Sequence, residues 1–144
     1  DQDSREDMGA SRVASYNDNR LIGTATTTAS PHFGQDNPIF ATIATLSRLR
    51  VEHEALRRGR TTLRFASDKP GLLAFTRGDD DGHEILVVLN TGTTPIVQNV
   101  EVGSRSARFV PLAGACPTIA TAPGSARIAL PPLGYAICGA LPNE

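Results

Sequence analysis

The sequence changes character at Gly59, and this change limits the folds that the chain can adopt. Before Gly59, residues 38–58 place apolar side chains at three- and four-residue steps, which is the period of an α-helix with one buried side. After Gly59, every segment is short, rich in β-branched or aromatic residues, and bounded by Gly, Pro, Asp or Asn. The pattern therefore predicts one helix followed by a run of strands.

The predicted helix begins at Pro38 and ends near Arg58. Asp36 or Asn37 can cap free backbone N–H groups, and proline fits the first helical turn because no donor is needed there. Arg57 and Arg58 suit the negative end of the helix dipole, and we expect Gly59 to close the last turn in the left-handed conformation. The apolar stripe of this helix consists of Ile39, Phe40, Ile43, Leu46, Leu49, His53 and Leu56.

Eight segments after Gly59 have the pattern of antiparallel strands. The strand at 84–89 is expected to be the most buried because both of its faces are apolar, and the sequences SDKPG and GDDDGH are expected to be hairpin connections. The predicted strands are 61–66, 72–77, 84–89, 95–102, 107–112, 118–121, 126–130 and 135–138, and the one at 118–121 has the weakest pattern. Seven or eight strands favour an antiparallel Greek-key β-sandwich, so the predicted class is mainly β.

The first 37 residues are polar and show no helical or strand period, which is typical of a loop. Loops longer than about 12 to 15 residues are uncommon inside compact domains. This one is therefore either a functional loop or a remnant of a larger structure that would hold it in place. The opening sequence DQDSREDMGASR has two carboxylates in calcium-loop positions. It has Glu6 where that loop needs glycine and Arg12 where it needs glutamate, so it does not fit a calcium site.

Charge and hydropathy exclude two classes of partner. The chain has 14 Lys and Arg against 15 Asp and Glu, a net charge of -1, which gives no electrostatic basis for binding nucleic acid or anionic membranes. The longest apolar run covers residues 85–89, far short of the roughly 20 residues that span a bilayer. We therefore expect neither a nucleic-acid partner nor a membrane partner.

No group of residues has the spacing of a catalytic or metal site. The histidines His32, His53 and His83 are too far apart in sequence for two of them to be ligands on one helical face. The aspartates at 79–81 precede Gly82, where a solvated hairpin turn explains them. No serine has a nucleophile-elbow sequence, and no glycine-rich phosphate loop is present. We predict no catalytic residue, no metal site and no cofactor.

Two cysteines, Cys116 and Cys138, are present, too few for a structural zinc site. They can form one disulfide or remain two buried thiols. The sequence GACPT gives Cys116 no neighbouring histidine that would favour a thiolate. A disulfide between them would favour a secreted protein, and the sequence otherwise leaves the cellular location open.

Four motifs, in this order, resemble α-amylase-family glycoside hydrolases. The segments NPIFATIATLSRLRVEHEALRRG, RFASDKPGLLAFTR, HEILVVLN and LPPLGYAICGA are similar to the last helix of that family's catalytic (β/α)8 barrel and to its C-terminal β-sandwich. The helix of the family has the pattern L-x-x-L-R-x-x-H-P-A-L-x-x-G. Here Glu54 replaces the proline, and the matching residues are Leu46, Leu49, Arg50, His53, Ala55, Leu56 and Gly59.

The resemblance implies two parts, with residues 1–59 as the end of the barrel and residues 60–144 as the C-terminal β-sandwich domain. The sequence DQDSREDM is similar to the family's D-P-D-x-R-x-x-M segment in the loop after the eighth barrel strand, and the matching residues are Asp1, Asp3, Arg5 and Met8. That loop borders the substrate cleft in the family. The candidate cleft residues are Arg5, Asp7, Tyr16 and Asn17, and a purely structural role in the loop is the alternative.

The resemblance also implies a function for the chain. It would be a non-catalytic C-terminal portion of an α-glucan-acting hydrolase or transglycosylase, stabilising an upstream barrel that supplies the carboxylates of a retaining mechanism. The upstream barrel is then the expected partner, α-glucan is bound only through the intact enzyme, and the chain alone is inactive. The alternative is an independent carbohydrate-binding or protein-interaction module, for which the absence of Trp and the presence of two Tyr leave few aromatic platforms.

Overall fold

The computed structural model describes residues 8–21, 23–34, 37–78 and 82–142. A short 3-10 helix, Ala14–Tyr16, lies in the N-terminal segment. The helices are α1 (Pro38–Glu52) and α2 (Glu54–Arg58), and the strands are β1 (Arg60–Ala66), β2 (Leu72–Gly78), β3 (Glu84–Asn90), β4 (Ile96–Glu101), β5 (Ser106–Ala113), β6 (Ser125–Leu130) and β7 (Tyr135–Pro142). The chain divides into two compact units, Asp1–Arg48 and Leu49–Glu144.

The predicted single helix is two helices, because the backbone leaves helical geometry at His53, with φ of -116° and ψ of 109°. The Arg57 guanidinium donates to the carbonyls of Arg50 and Val51 at the end of α1. Arg50 in turn donates to the carbonyl of Leu56, at 3.0 Å. Side-chain donors therefore satisfy carbonyls that the break leaves without helical partners.

The prediction that Gly59 closes the helix in the left-handed conformation is wrong. Its φ is -58° and its ψ is 150°, which many residues adopt, and its N–H donates to the Ala55 carbonyl at 3.0 Å. A Cβ at this position would lie 2.4 Å from the Ala55 oxygen and 2.6 Å from the Gly78 oxygen. Glycine is needed here because two backbone segments approach closely.

Within the described residues, seven strands form two antiparallel sheets, as the predicted β-sandwich requires. The large sheet has the order β1-β2-β3-β7-β5, and the small sheet pairs β4 with β6. Seven predicted strands correspond to these elements, with the largest difference at β7, which continues to Pro142. The eighth prediction, at 118–121, is wrong because that segment forms only a single bridge, between Ile119 and Arg108.

The core lies between the two sheets and is formed mainly by alternate residues of β2, β3, β6 and β7. Phe109 belongs to this core, and Phe65 packs against it. Phe75 lies on the other face of the large sheet, because its neighbours Ala74 and Thr76 face inward and side chains alternate along a strand. The most buried large side chains of the core are Leu72, Leu86, Val88, Cys138 and Ile128.

Candidate functional site

The N-terminal segment is held together by backbone hydrogen bonds rather than by regular secondary structure. The N–H of Ser11 donates to the Thr28 carbonyl at 2.8 Å, and the N–H of His32 donates to the Met8 carbonyl at 2.8 Å. Thr28, which is buried, also donates its N–H to the Asn19 carbonyl. The predicted loop therefore folds back on itself, so that residues near its two ends lie side by side.

The four candidate cleft residues fall in different parts of this segment. Arg5 and Asp7 lie outside the described residues. Tyr16 is the last residue of the 3-10 helix, and Asn17 follows it, donating its N–H to the Ala14 carbonyl at 3.2 Å. The side-chain oxygen of Asn17 is buried and accepts no hydrogen bond from the residues that the structure describes. Lining of a cleft by these residues stays a prediction.

His32 has an unusual environment that no sequence motif indicates. Both of its ring nitrogens are buried and form no hydrogen bond with the described part of the chain. Leaving a buried polar group without a partner costs about 1 to 3 kcal/mol. His32 and Asn17 are thus two polar side chains with buried atoms that the described part of the N-terminal unit leaves without a hydrogen bond.

The outer face of the large sheet is the face turned away from the small sheet, and it is almost entirely apolar. It carries Leu63, Leu73, Phe75, Ile85, Val87, Leu89, Val110, Tyr135 and Ile137. Helix α2 packs on part of this face, where the Arg77 guanidinium donates to the Ala55 carbonyl at 3.3 Å and Ile85 is only 4% exposed. Other side chains of the same face, including Leu63 and Leu73, remain exposed. The face is therefore only partly covered, with Ile85 and Ile137 buried and Leu63 and Leu73 exposed.

The outer face of the small sheet has a different composition. Its exposed side chains are Val97, Asn99 and Glu101 from β4 and Arg127 and Ala129 from β6. Three of these five are polar or charged, which is typical of a sheet that faces water. Of the two sheets, only the large one has an apolar outer face.

Glu84 forms the centre of a polar cluster at one end of the sandwich. Its carboxylate pairs with the Arg64 guanidinium at 2.8 Å and accepts hydrogen bonds from the Gly103 N–H and the Ser106 hydroxyl. Burial acts to raise the pKa of Glu84, but these hydrogen bonds outweigh burial and hold the pKa below its usual value. The donors, in order of their effect on the pKa, are Ser106, Gly103, Thr76 and Arg64. A carboxylate held ionised in this way is not suited to act as a general acid.

Cys116 and Cys138 form a disulfide across a sequence separation of 22 residues. Cys138 is fully buried in β7, and Cys116 lies in the connection between β5 and β6. Among the residues that the structure describes, no group of His, Cys, Asp and Glu side chains is arranged to hold a metal ion. Within the same residues, no helix is long and apolar enough to cross a membrane.

Comparisons with known proteins give relatives that are much longer than this chain. No family model matches the sequence. The chain is 35% identical over 120 residues to an alpha-amylase of Streptomyces lividans, an alignment that covers 83% of the chain and 13% of that protein. Its fold is similar to a debranching enzyme from Nostoc punctiforme, with a TM-score of 0.61 and 27% identity over 70% of this chain and 21% of that one. It is also similar to an Anoxybacillus alpha-amylase, with a TM-score of 0.66 and 19% identity over 85% of this chain and 26% of that one.

Proposed function

Because the chain belongs to the α-amylase family of glycoside hydrolases, we propose that it is a non-catalytic C-terminal portion of an α-glucan-acting hydrolase or transglycosylase. In this proposal residues 1–59 complete a catalytic barrel, and residues 60–144 form the C-terminal β-sandwich domain. The upstream part of the enzyme supplies the barrel and its catalytic carboxylates. The chain stabilises that barrel by packing against it.

The outer face of the large sheet is the observation that carries this proposal. An apolar face that is only partly covered by α2 gains stability when a second layer removes it from water. Leu63 illustrates the point, since its side chain lies on this face and is 64% exposed. The Streptomyces lividans alpha-amylase and the Nostoc punctiforme debranching enzyme are four or more times longer than the stretch they share with the chain, which supports a barrel portion as the covering layer.

Helix α1 gives independent support from the N-terminal unit. The predicted apolar stripe is buried at Leu49, but its first half is exposed, and Phe40 is 70% exposed. Ile39 and Ile43 lie on the same stripe and are also exposed. Apolar residues at helical spacing on an exposed side are typical of a helix that has a neighbouring helix or sheet in its working assembly.

The loop of the N-terminal unit is proposed to border the substrate cleft of the intact enzyme. Arg5, Asp7, Tyr16 and Asn17 are the proposed lining residues, by the family resemblance. The unsatisfied side-chain oxygen of Asn17 supports this, because a donor from the barrel or from a sugar hydroxyl would complete its hydrogen bonding. α-Glucan therefore meets the chain only as part of the intact enzyme.

The packing role is tested by co-expressing the 144-residue chain with the upstream barrel portion from the same coding region. Leu63→Glu places a charge on the outer face of the large sheet, and Val97→Glu, at a side chain 54% exposed, is the matched control on the small sheet. We expect the wild-type chain and the control to co-purify with the barrel, and Leu63→Glu to weaken the complex about tenfold or more, since a carboxylate cannot be buried unpaired at low cost. Equal binding by the two variants, or separate migration of barrel and wild-type chain on a sizing column, overturns the proposal.

Activity separates the proposal from an independent binding module. The chain alone is expected to release no product from starch or maltooligosaccharides, whereas its complex with the barrel hydrolyses or transfers. Turnover by a clean preparation of the chain contradicts the non-catalytic role. Saturable binding of maltooligosaccharide by the chain alone, without any affinity for the barrel, favours the carbohydrate-binding alternative.

A further inference from the structure

A polar cavity of about 400 Å³ lies at one end of the β-sandwich, away from the outer face of the large sheet. Its walls come from β1, from the facing ends of β2 and β3, and from the turn that connects β4 to β5. The side chains that matter for its chemistry are Arg60, Thr62, Arg64, His83, Ser104 and Arg105. No motif in the sequence points to this cavity, because its walls are far apart along the chain.

Strand register places the cavity on the inner face of the large sheet. Thr62 lies opposite Thr76, and Arg60 lies opposite Gly78, which itself lies opposite Glu84. Directly paired residues share one face of a sheet, and Thr76 is a buried residue of the inner face. The inner face of the large sheet therefore becomes polar towards this end of the sandwich.

The floor of the cavity is the ion pair between Arg64 and Glu84, whose charged groups also have hydrogen-bond partners. Arg64 donates to Glu84 at 2.8 Å and to the Thr76 hydroxyl at 2.9 Å. The Glu84 carboxylate also accepts hydrogen bonds from Gly103 and Ser106. Among the described lining residues Glu84 is the one carboxylate, and its hydrogen-bond and ion-pair partners lower its repulsion of a bound anion and leave it little capacity to hold a cation.

Two arginines of the cavity wall are not engaged in this way. Within the described parts of the chain, neither Arg60 nor Arg105 forms an ion pair or a side-chain hydrogen bond. The Arg105 guanidinium lies against Gly82, where a Cβ would be only 3.1 Å from its nearest nitrogen. A Cβ at position 82 would move the flexible end of Arg105 by only a few tenths of an ångström, so the contact shows that the guanidinium lies beside this turn; glycine itself suits the turn because its φ is 85°.

We propose that this cavity binds a small oxyanion, namely phosphate or the phosphate group of a phosphorylated sugar, between Arg60 and Arg105. The planar guanidinium group offers paired N–H donors that match two oxygens of a phosphate, so two such groups can hold one anion from both sides. The hydroxyls of Thr62 and Ser104 add donors on the same wall. Ligand pockets usually measure about 300 to 1,000 Å³, so the volume also accommodates a sugar attached to the phosphate. The proposal does not depend on the packing role.

The test is a titration of the isotope-labelled 144-residue chain with inorganic phosphate, followed by NMR at pH 7 and constant ionic strength. We expect saturable shifts of the backbone amides of Gly82, Gly103 and Ser104. The double variant Arg60→Ala with Arg105→Ala should bind phosphate at least about tenfold more weakly, because it removes both guanidinium groups. The matched control is Arg12→Ala with Arg127→Ala, which removes the same charge from residues that are exposed like Arg60 and Arg105 but do not line the cavity, and it should change the dissociation constant less than about twofold.

Separate titrations with glucose 1-phosphate and glucose distinguish the source of the phosphate group. Tighter binding of glucose 1-phosphate than of phosphate assigns the sugar ring to the cavity, and equal binding assigns the phosphate alone. Replacement of the three aspartates at 79–81 by asparagine should leave binding unchanged or strengthen it, since negative charges adjoining Gly82 in sequence only repel an anion. The proposal is overturned by shifts that never saturate, by weaker binding in the asparagine variant, or by equal losses in the two arginine variants.

A lysine variant separates the effect of charge from that of the guanidinium group. Arg60→Lys with Arg105→Lys keeps both positive charges but removes the planar guanidinium groups, so its phosphate affinity should fall between those of the wild type and the alanine variant. Each variant is used only if its amide spectrum away from the cavity matches that of the wild type. Full affinity in the lysine variant with none in the alanine variant would still place the anion at these two positions, whereas full affinity in both variants contradicts the proposal.

Discussion

The two sheets of the sandwich build one core together but present different outer faces to the outside. The outer face of the large sheet is apolar and is partly covered by α2, whereas the outer face of the small sheet mixes apolar, polar and charged side chains. A two-layer sandwich needs only its inner faces to be apolar. The second apolar face of the large sheet is therefore typical of a sheet that carries a third layer, and α2 covers part of it.

The largest expected change in stability comes from placing a charge on the outer face of the large sheet, where α2 covers it. Ile85→Asp is expected to lower the free energy of unfolding by about 3 kcal/mol or more, because it removes a buried side chain and buries a carboxylate without a partner. Val97→Asp, on the outer face of the small sheet, should cost about 0.5 kcal/mol or less. Urea denaturation of the two variants measures both values, and similar losses would show that the outer faces do not differ in this way.

The disulfide gives the next largest effect. Because Cys116 and Cys138 join the connection before β6 to β7, replacing both by serine should lower stability by about 3 kcal/mol. The disulfide attaches the β5–β6 connection to β7 of the large sheet. Without it, this connection is less restrained, and β6 of the small sheet, which follows it, should unfold locally more often. Hydrogen exchange should accelerate more in β6 than in β2, and equal acceleration in both sheets would contradict this account.

Acid should distinguish the sheets through their carboxylates. The folded state holds the pKa of Glu84 below its ordinary value, so the stability that it contributes is fully present above that ordinary value. This stability is lost as pH falls from the ordinary value through the lower folded value. Glu84→Gln should therefore lose less stability than wild type between pH 7 and acidic pH. Glu101→Gln, at an exposed position of the small sheet, is the control variant. If Glu84→Gln lost as much stability between pH 7 and acidic pH as Glu101→Gln does, the role of the cluster would be contradicted.

The smallest expected effect lies in the turn between β6 and β7, which connects the two sheets. Leu133 is exposed there and has a φ of 53°, in the left-handed region that glycine adopts without strain. Leu133→Gly is expected to raise the free energy of unfolding by about 1 kcal/mol or less, since relief of strain is partly offset by the greater freedom of glycine in the unfolded chain. Thermal denaturation measures the change, and a loss of stability would show that the Leu133 side chain contributes packing.

Local patterns in the sequence predicted most elements of this fold. The alternation within β3 and the glycine and proline boundaries of the strands depend on nearby residues, so these strands were predicted within a few residues of their observed ends. The requirement for glycine at position 59 was misinterpreted, because the neighbouring Gly78 carbonyl comes from another strand. The sequence does not reveal the cavity for the same reason, since Arg60 and Arg105 line one cavity only after β1 and the β4–β5 turn have taken their places in the sandwich.

The break between α1 and α2 forms without a proline. In the family pattern that this helix resembles, a proline follows the histidine, and a proline favours an extended backbone at the residue before it. Here Glu54 stands in that place, yet His53 remains extended, with the Arg57 and Arg50 guanidinium groups bonded to the carbonyls around the bend. Two arginine side chains within four residues of His53 thus bond the carbonyls on both sides of the bend. The bend therefore does not require the fixed ring of a proline at position 54.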